Sequence, residues 1–136
     1  MDASIGLIVA THGNLAQSLV ETAALILGRP CGMASFAFSA DEPAQAASQR
    51  LHALVRKADA GRGVILLVDL FGGTPGSLAL SMLNDARVGV VTGVNLPMVL
   101  AAAGLDDPRS LEEATAFLES AGRNAIKSAG QLLKSS

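Results

Sequence analysis

The stretch that most constrains this chain is Val64–Val68, VILLV, set between Gly63 and Asp69. It is apolar without interruption. A strand with no polar alternation has no face to give to water, so it belongs inside a sheet that is covered on both sides. Other apolar runs recur along the chain with helical stretches between them. Ile5–Ala10 is a strand of the same kind, Met33–Phe38 a weaker one, and Val88–Val91 a fourth. Asn14–Leu27 reads as a helix with Leu15, Leu19, Ala23 and Ile26 on one face, stopped by Gly28-Arg29-Pro30. Pro43–Ala60 reads as a second helix with Ala47, Leu51, Leu54, Val55 and Ala58 on one stripe. A glycine turn at Gly72-Gly73 leads to a short helix around Gly76–Leu83. Asn95 and Pro97 open another, which ends near Ala103. Ser110 and Glu113 form a capping box for a last helix with Leu111, Ala114, Leu118 and Ala121 turned inward. Strands alternating with helices at this spacing predict an α/β fold: an open, mostly parallel sheet of four strands with helices on both faces, joined by right-handed crossovers.

A doubly covered sheet needs a large core, and the composition supplies one. Half of the 136 residues are hydrophobic, with no Trp or Tyr and only four Phe, so the core is aliphatic and the length suits one domain spanning residues 1–136. A net charge of -2 with scattered Lys and Arg gives no electrostatic case for nucleic acid. Cys31 is the single cysteine, which excludes an intrachain disulfide and any CxxC site. No basic segment precedes the first apolar run, so no signal peptide is expected. The uncharged stretch from Val88 to Leu105 approaches bilayer length, but Gly89, Thr92, Gly93, Asn95 and Pro97 break it into strand, loop and helix rather than a membrane span. A soluble protein in a reducing cytoplasm is the expectation, with no direct membrane insertion.

In an open parallel sheet, ligands gather beyond the carboxyl ends of the strands. Three polar or glycine-rich segments leave strands at that edge: Thr11-His12-Gly13, then Asp69 through Pro75, then Thr92 through Pro97. His12 stands just before a helix N-terminus, where free N–H groups suit an anion and disfavour a cation. In a neutral imidazole one nitrogen carries the hydrogen and the other a lone pair, and a neighbouring acceptor decides which. Asp69, at the end of a wholly apolar strand, is the natural acceptor and would turn the other nitrogen outward as a nucleophile. Each residue also has a plainer reading, His12 as a helix-capping turn residue and Asp69 as a turn residue bonding nearby amides.

Gly72-Gly73-Thr74-Pro75 offers backbone amides and one hydroxyl that suit a phosphoryl group, or it is simply a strand-to-helix turn. It lacks the lysine of a Walker loop, which argues against direct nucleotide binding, and no GxSxG elbow is present. Metal chemistry has little support. His52 is the only other histidine and reads as a surface residue of the second helix, and neither an HExxH motif nor clustered carboxylates occur. Phe71, Leu96 and Met98 read as core residues or as an apolar rim for a protein partner.

Three pieces in order, IVATHGNLAQSL, VDLFGGTPGSLAL and VVTGVNLPMVL, resemble the enzyme IIA component of the mannose family of the phosphoenolpyruvate-dependent sugar phosphotransferase system. The resemblance runs from the first strand through at least Ala103. It implies a dimeric phosphotransferase that works without cofactor or metal. Such a protein takes a phosphoryl group from the histidine phosphocarrier protein and passes it to a IIB partner. By this resemblance His12 is the phosphorylated histidine, Asp69 the carboxylate that orients it, and Gly72, Gly73 and Thr74 the phosphoryl cradle. Phe71, Asn95, Leu96, Pro97 and Met98 fall in the partner-docking loops.

The family also implies a short antiparallel edge strand near the C-terminus, exchanged between subunits, where this chain has Gly122 and then Arg123–Lys127. Periodicity on its own carries the last helix through that stretch, so the two readings conflict. Relatives with a fused IIB domain continue through a linker, whereas this sequence stops at Ser136, so the expectation is a IIB that acts in trans or is missing. Gly76 stands where bulkier residues are common in the family. A neighbouring branch serves dihydroxyacetone kinase, but the NLPM segment resembles the mannose branch. A phosphorylation-dependent regulatory module without sugar transport is the alternative reading.

Overall fold

The computed structural model describes residues 4–70, 73–85, 87–106 and 108–135. Four strands, β1 (Gly6–His12), β2 (Ala34–Phe38), β3 (Val64–Val68) and β4 (Val88–Thr92), form one parallel sheet in the order β2-β1-β3-β4. The helices among the described residues are α1 (Leu15–Leu27), α2 (Ala44–Ala58), α3 (Gly73–Ser81), α4 (Leu96–Ala103), α5 (Leu111–Asn124) and α6 (Ala129–Ser135), with a 3-10 turn at Met82–Asn84. This is the α/β architecture that the apolar runs predict.

All five side chains of β3 are fully buried. Ile65 and Leu67 point to one face, where they meet Val9 and Val91 beneath α1, α4 and α5. Val64, Leu66 and Val68 point to the other, where they join Ile8 and Ala10 beneath α2 and α3. Each such side chain contributes about 1.5–3 kcal/mol by leaving water. This strand is therefore the axis of both cores.

Helix α5 lies close on the edge strand β4 because Gly89 has no side chain: a Cβ there would overlap the Thr115 hydroxyl. At the amino ends of the strands, Asp59 accepts from the Arg87 guanidinium and from the Gly61 and Gly63 amides, tying together the turns that enter β3 and β4.

Three local expectations need correction. β1 runs two residues past Ala10, so Thr11 and His12 belong to the strand. The buried face of α1 keeps Leu19 and Ala23 of the predicted stripe and adds Ala16 and Val20, while Leu15 and Ile26 are exposed. α3 begins at Gly73, three residues before the predicted start.

The conflict near the C-terminus resolves in favour of periodicity as far as Asn124, because Ala114, Leu118 and Gly122 form a buried stripe four residues apart. The capping box at Ser110 and Glu113 is present, with both bonds at 3.1 Å. Among the described residues there is no antiparallel strand, and residues 126–128 cross without strand pairing to α6.

Candidate functional site

The chain leaves β1 through α1 to β2 on one side, while β3 pairs with β1 on the other. The sheet order therefore reverses between β1 and β3, which is where an open parallel sheet forms a crevice. The last residue of β1 is His12, and the first residue after β3 is Asp69.

These two side chains meet. The ring Nδ1 of His12 lies 2.9 Å from Asp69 Oδ2, and the His12 backbone N–H donates to the same oxygen at 3.1 Å. Asp69 Oδ1 accepts from the Leu70 amide at 3.0 Å. An ionised carboxylate can only accept, so it selects the tautomer with hydrogen on Nδ1 and leaves the lone pair on Nε2. The Asp69 side chain is 12% exposed and that of His12 is 49% exposed, so the carboxylate is sheltered while the imidazole reaches solvent. Burial pushes the Asp69 carboxyl upward. Hydrogen bonds from the His12 ring and backbone, with their charge attraction, outweigh burial and hold it below its ordinary value.

Gly13 takes φ 56° directly after His12, a left-handed turn that lets the chain pass from strand to helix within two residues. Thr11, the residue before His12, is fully buried. Its hydroxyl accepts from the Ala16 amide at 2.7 Å and donates to the His12 carbonyl at 3.2 Å.

Beside the imidazole opens a cleft of about 570 Å3 lined by His12, Asn14, Phe38, Ser39 and Glu42 among others. Its far wall is the loop from β2 to α2, braced by Arg50. The Arg50 guanidinium binds Glu42 through two contacts of 2.7 Å and donates to the Ala37 carbonyl at 3.0 Å. The sequence reading gave no role to Thr11, Glu42 or Arg50. A lone hydroxyl at the end of an apolar run was the available signal for Thr11. Nothing local marked the other two, whose contact spans eight residues.

The third convergent loop is fastened to the second, since the Val94 amide donates to the Val68 carbonyl next to Asp69. Asn95 works within the fold: its Oδ1 caps α4 through the Met98 amide, and its Nδ2 donates to the Gly122 carbonyl in α5, both at 3.0 Å. Met98 is 3% exposed and belongs to the core, whereas Leu96 is half-buried and Pro97 exposed. Gly73 opens α3 at the edge of the site. Phe71, Gly72 and the Thr74 side chain lie outside the described residues.

Among the described residues no group of three His, Cys, Asp or Glu side chains could hold a metal ion. His52 is exposed on α2 beside a separate groove that it shares with Arg56 and Asn84. Cys31 is buried and bonds the Val20 carbonyl. No helix among the described residues is long and apolar enough to cross a membrane.

Fold and site together define an open-sheet α/β protein that presents one oriented, accessible imidazole at the crevice between β1 and β3. Residues 6–119 match the EIIA-man family model, described as "PTS system fructose IIA component", where PTS is the sugar phosphotransferase system. The chain is 32% identical over 126 residues to the PTS system mannose-specific EIIAB component of Escherichia coli (strain K12). That match covers 91% of this chain but only 39% of the relative, so the chain spans less than half of that protein. It is 30% identical over 110 residues to the PTS system fructose-specific EIIA component of Bacillus subtilis (strain 168), covering 80% of this chain and 75% of that one. The structure of the mannose/sorbose specific IIA subunit of the phosphotransferase system from Enterococcus faecalis superposes with a TM-score of 0.81 at 27% identity, over 93% of this chain and 95% of that one. This chain belongs to the mannose-type IIA family of the sugar phosphotransferase system.

Proposed function

We propose that the chain is a cytoplasmic phosphoryl carrier of the sugar phosphotransferase system. His12 accepts a phosphoryl group on Nε2 from the histidine phosphocarrier protein and hands it to a IIB component. The observation that carries this reading is the 2.9 Å contact between His12 Nδ1 and Asp69 Oδ2, which leaves Nε2 as the nucleophilic nitrogen.

Transfer exchanges one P–N bond for another. The donor's P–N bond breaks as the Nε2–P bond forms in line, and each ring keeps its other N–H throughout. The donor imidazole leaves neutral and the His12 ring gains the positive charge, facing the Asp69 carboxylate. Return of the group to IIB runs the same exchange in reverse. No metal or cofactor is needed, because positioning and electrostatics supply the catalysis.

Gly72, Gly73 and Thr74 form the phosphoryl cradle in this proposal, at the mouth of α3. Phe71, Leu96 and Pro97 form the apolar rim on which partners dock, and Asn95 and Met98 shape that rim from beneath. The working unit is a homodimer. Support for it comes from the outer edge of β4, which pairs with no strand among the described residues, and from Ile126, which is 76% exposed between α5 and α6.

Incubation with phosphorylated phosphocarrier protein should place an acid-labile, base-stable phosphoryl group on His12, and His12→Ala should abolish labelling. Full labelling of the alanine variant would overturn the proposal.

A further inference from the structure

Among the described residues, Thr11 is the one buried polar side chain. A hydroxyl removed from water costs free energy unless it is bonded, and here it is bonded in both directions. It accepts from the amide of Ala16, in the first turn of α1, and donates to the carbonyl of His12. Asn14, at the N-cap position of that helix, makes no side-chain cap, so the cap comes from the preceding strand. The amide of His12 is meanwhile held by Asp69 Oδ2. Side chains thus restrain the main chain of His12 at both its N–H and its C=O, immediately before the left-handed turn at Gly13.

We propose that Thr11 is a positioning residue for His12: its hydroxyl fixes the His12–Gly13 peptide and the start of α1, so that backbone and ring N–H converge on one Asp69 oxygen and Nε2 stays the unprotonated nitrogen. The consequence for transfer rests on His12 being the phosphoryl acceptor. The consequence for the ring tautomer does not. Valine has the shape of threonine without the hydroxyl and leaves the Ala16 amide unpaired. Serine keeps the hydroxyl. The Gly13 amide still donates to the Phe38 carbonyl at 3.1 Å, so without the hydroxyl the His12–Gly13 peptide is loosened rather than released, and the ring is held less tightly in register with the carboxylate.

The test uses nitrogen-15 NMR of the His12 ring together with transfer kinetics from phosphorylated phosphocarrier protein. Wild type and Thr11→Ser should hold the Nδ1–H form. Thr11→Val should show a mixture with the Nε2–H form. Its maximal transfer rate should fall about tenfold, the equivalent of one lost hydrogen bond, with little change in the donor concentration for half-maximal rate. Thr115→Val removes a hydroxyl that bonds the Leu111 carbonyl within α5 and should alter neither readout.

An unchanged tautomer in Thr11→Val, or a serine variant as impaired as valine, would overturn the assignment. Should Thr11→Val fold poorly, Thr11→Ala is the second hydroxyl-free variant. Amide exchange in the unmodified protein decides independently: Ala16 should be protected relative to Leu15, and equal exchange would sink the clamp. A wild-type protein that accepts no phosphoryl group at all would count against the carrier reading, and the tautomer measurement would still judge Thr11.

Discussion

One oxygen, Asp69 Oδ2, receives both the backbone and the ring N–H of His12, a residue 57 positions away in sequence. The depressed carboxyl keeps Asp69 ionised at neutral pH. Its share of stability is complete above the ordinary value of 3.8 and is lost as pH falls through the lower folded-state value. Asp69→Asn preserves size but removes the charge, and an amide can present N–H2 to Nδ1 and so select the wrong tautomer. We predict that this variant melts close to wild type while phosphoryl transfer to His12 slows at least about a hundredfold. Rapid-quench kinetics would check it, and equal rates would show the carboxylate to be dispensable. This pairing was legible in the sequence because both residues stop apolar runs that must lie side by side. The Thr11 clamp and the Glu42–Arg50 brace were not, since their partners are settled by how helices land on the sheet rather than by local pattern.

At the level of elements, apolar runs located every strand, and the capping box located the start of α5. Boundaries near the site were less legible. β1 extends through two polar residues because ladder pairing with β2 continues to His12–Phe38, and hydropathy does not register a backbone bond. On α1 only the two ends of the predicted stripe fail: Leu15 and Ile26 face solvent, and Ala16, whose amide bonds the Thr11 hydroxyl, turns inward. The seat of α5 depends on a missing atom at Gly89. We predict that Gly89→Ala, which forces Thr115 and its helix outward, destabilises the fold by about 1–3 kcal/mol, read as a lower urea midpoint. An unchanged midpoint would mean that α5 has slack on the sheet.

Across the whole molecule the two sheet edges differ. On β2 the outward carbonyl of Ala37 is occupied by Arg50, which blunts that edge against strand addition. The outer edge of β4 faces a groove of about 420 Å3 bounded by Thr92, Gly93, Glu119, Arg123 and Ile126 among others. In the dimer proposed above, residues 125–128 lie against this edge of the other subunit. We predict that the chain sediments as a dimer and that Ile126→Asp sediments as a monomer with unchanged helical content. Ile126 contributes little to its own chain, so the substitution reports association rather than folding. A monomeric wild type would remove the dimer, and a dimeric variant would place its contact elsewhere.

The half-open setting of the imidazole, with 49% of its side chain in contact with solvent, carries a cost of its own. In the carrier proposed above, a phosphoryl group on His12 would be open to water as well as to a partner, so spontaneous hydrolysis would compete with delivery at every cycle. Such a design favours brief custody and frequent encounters over long-term storage.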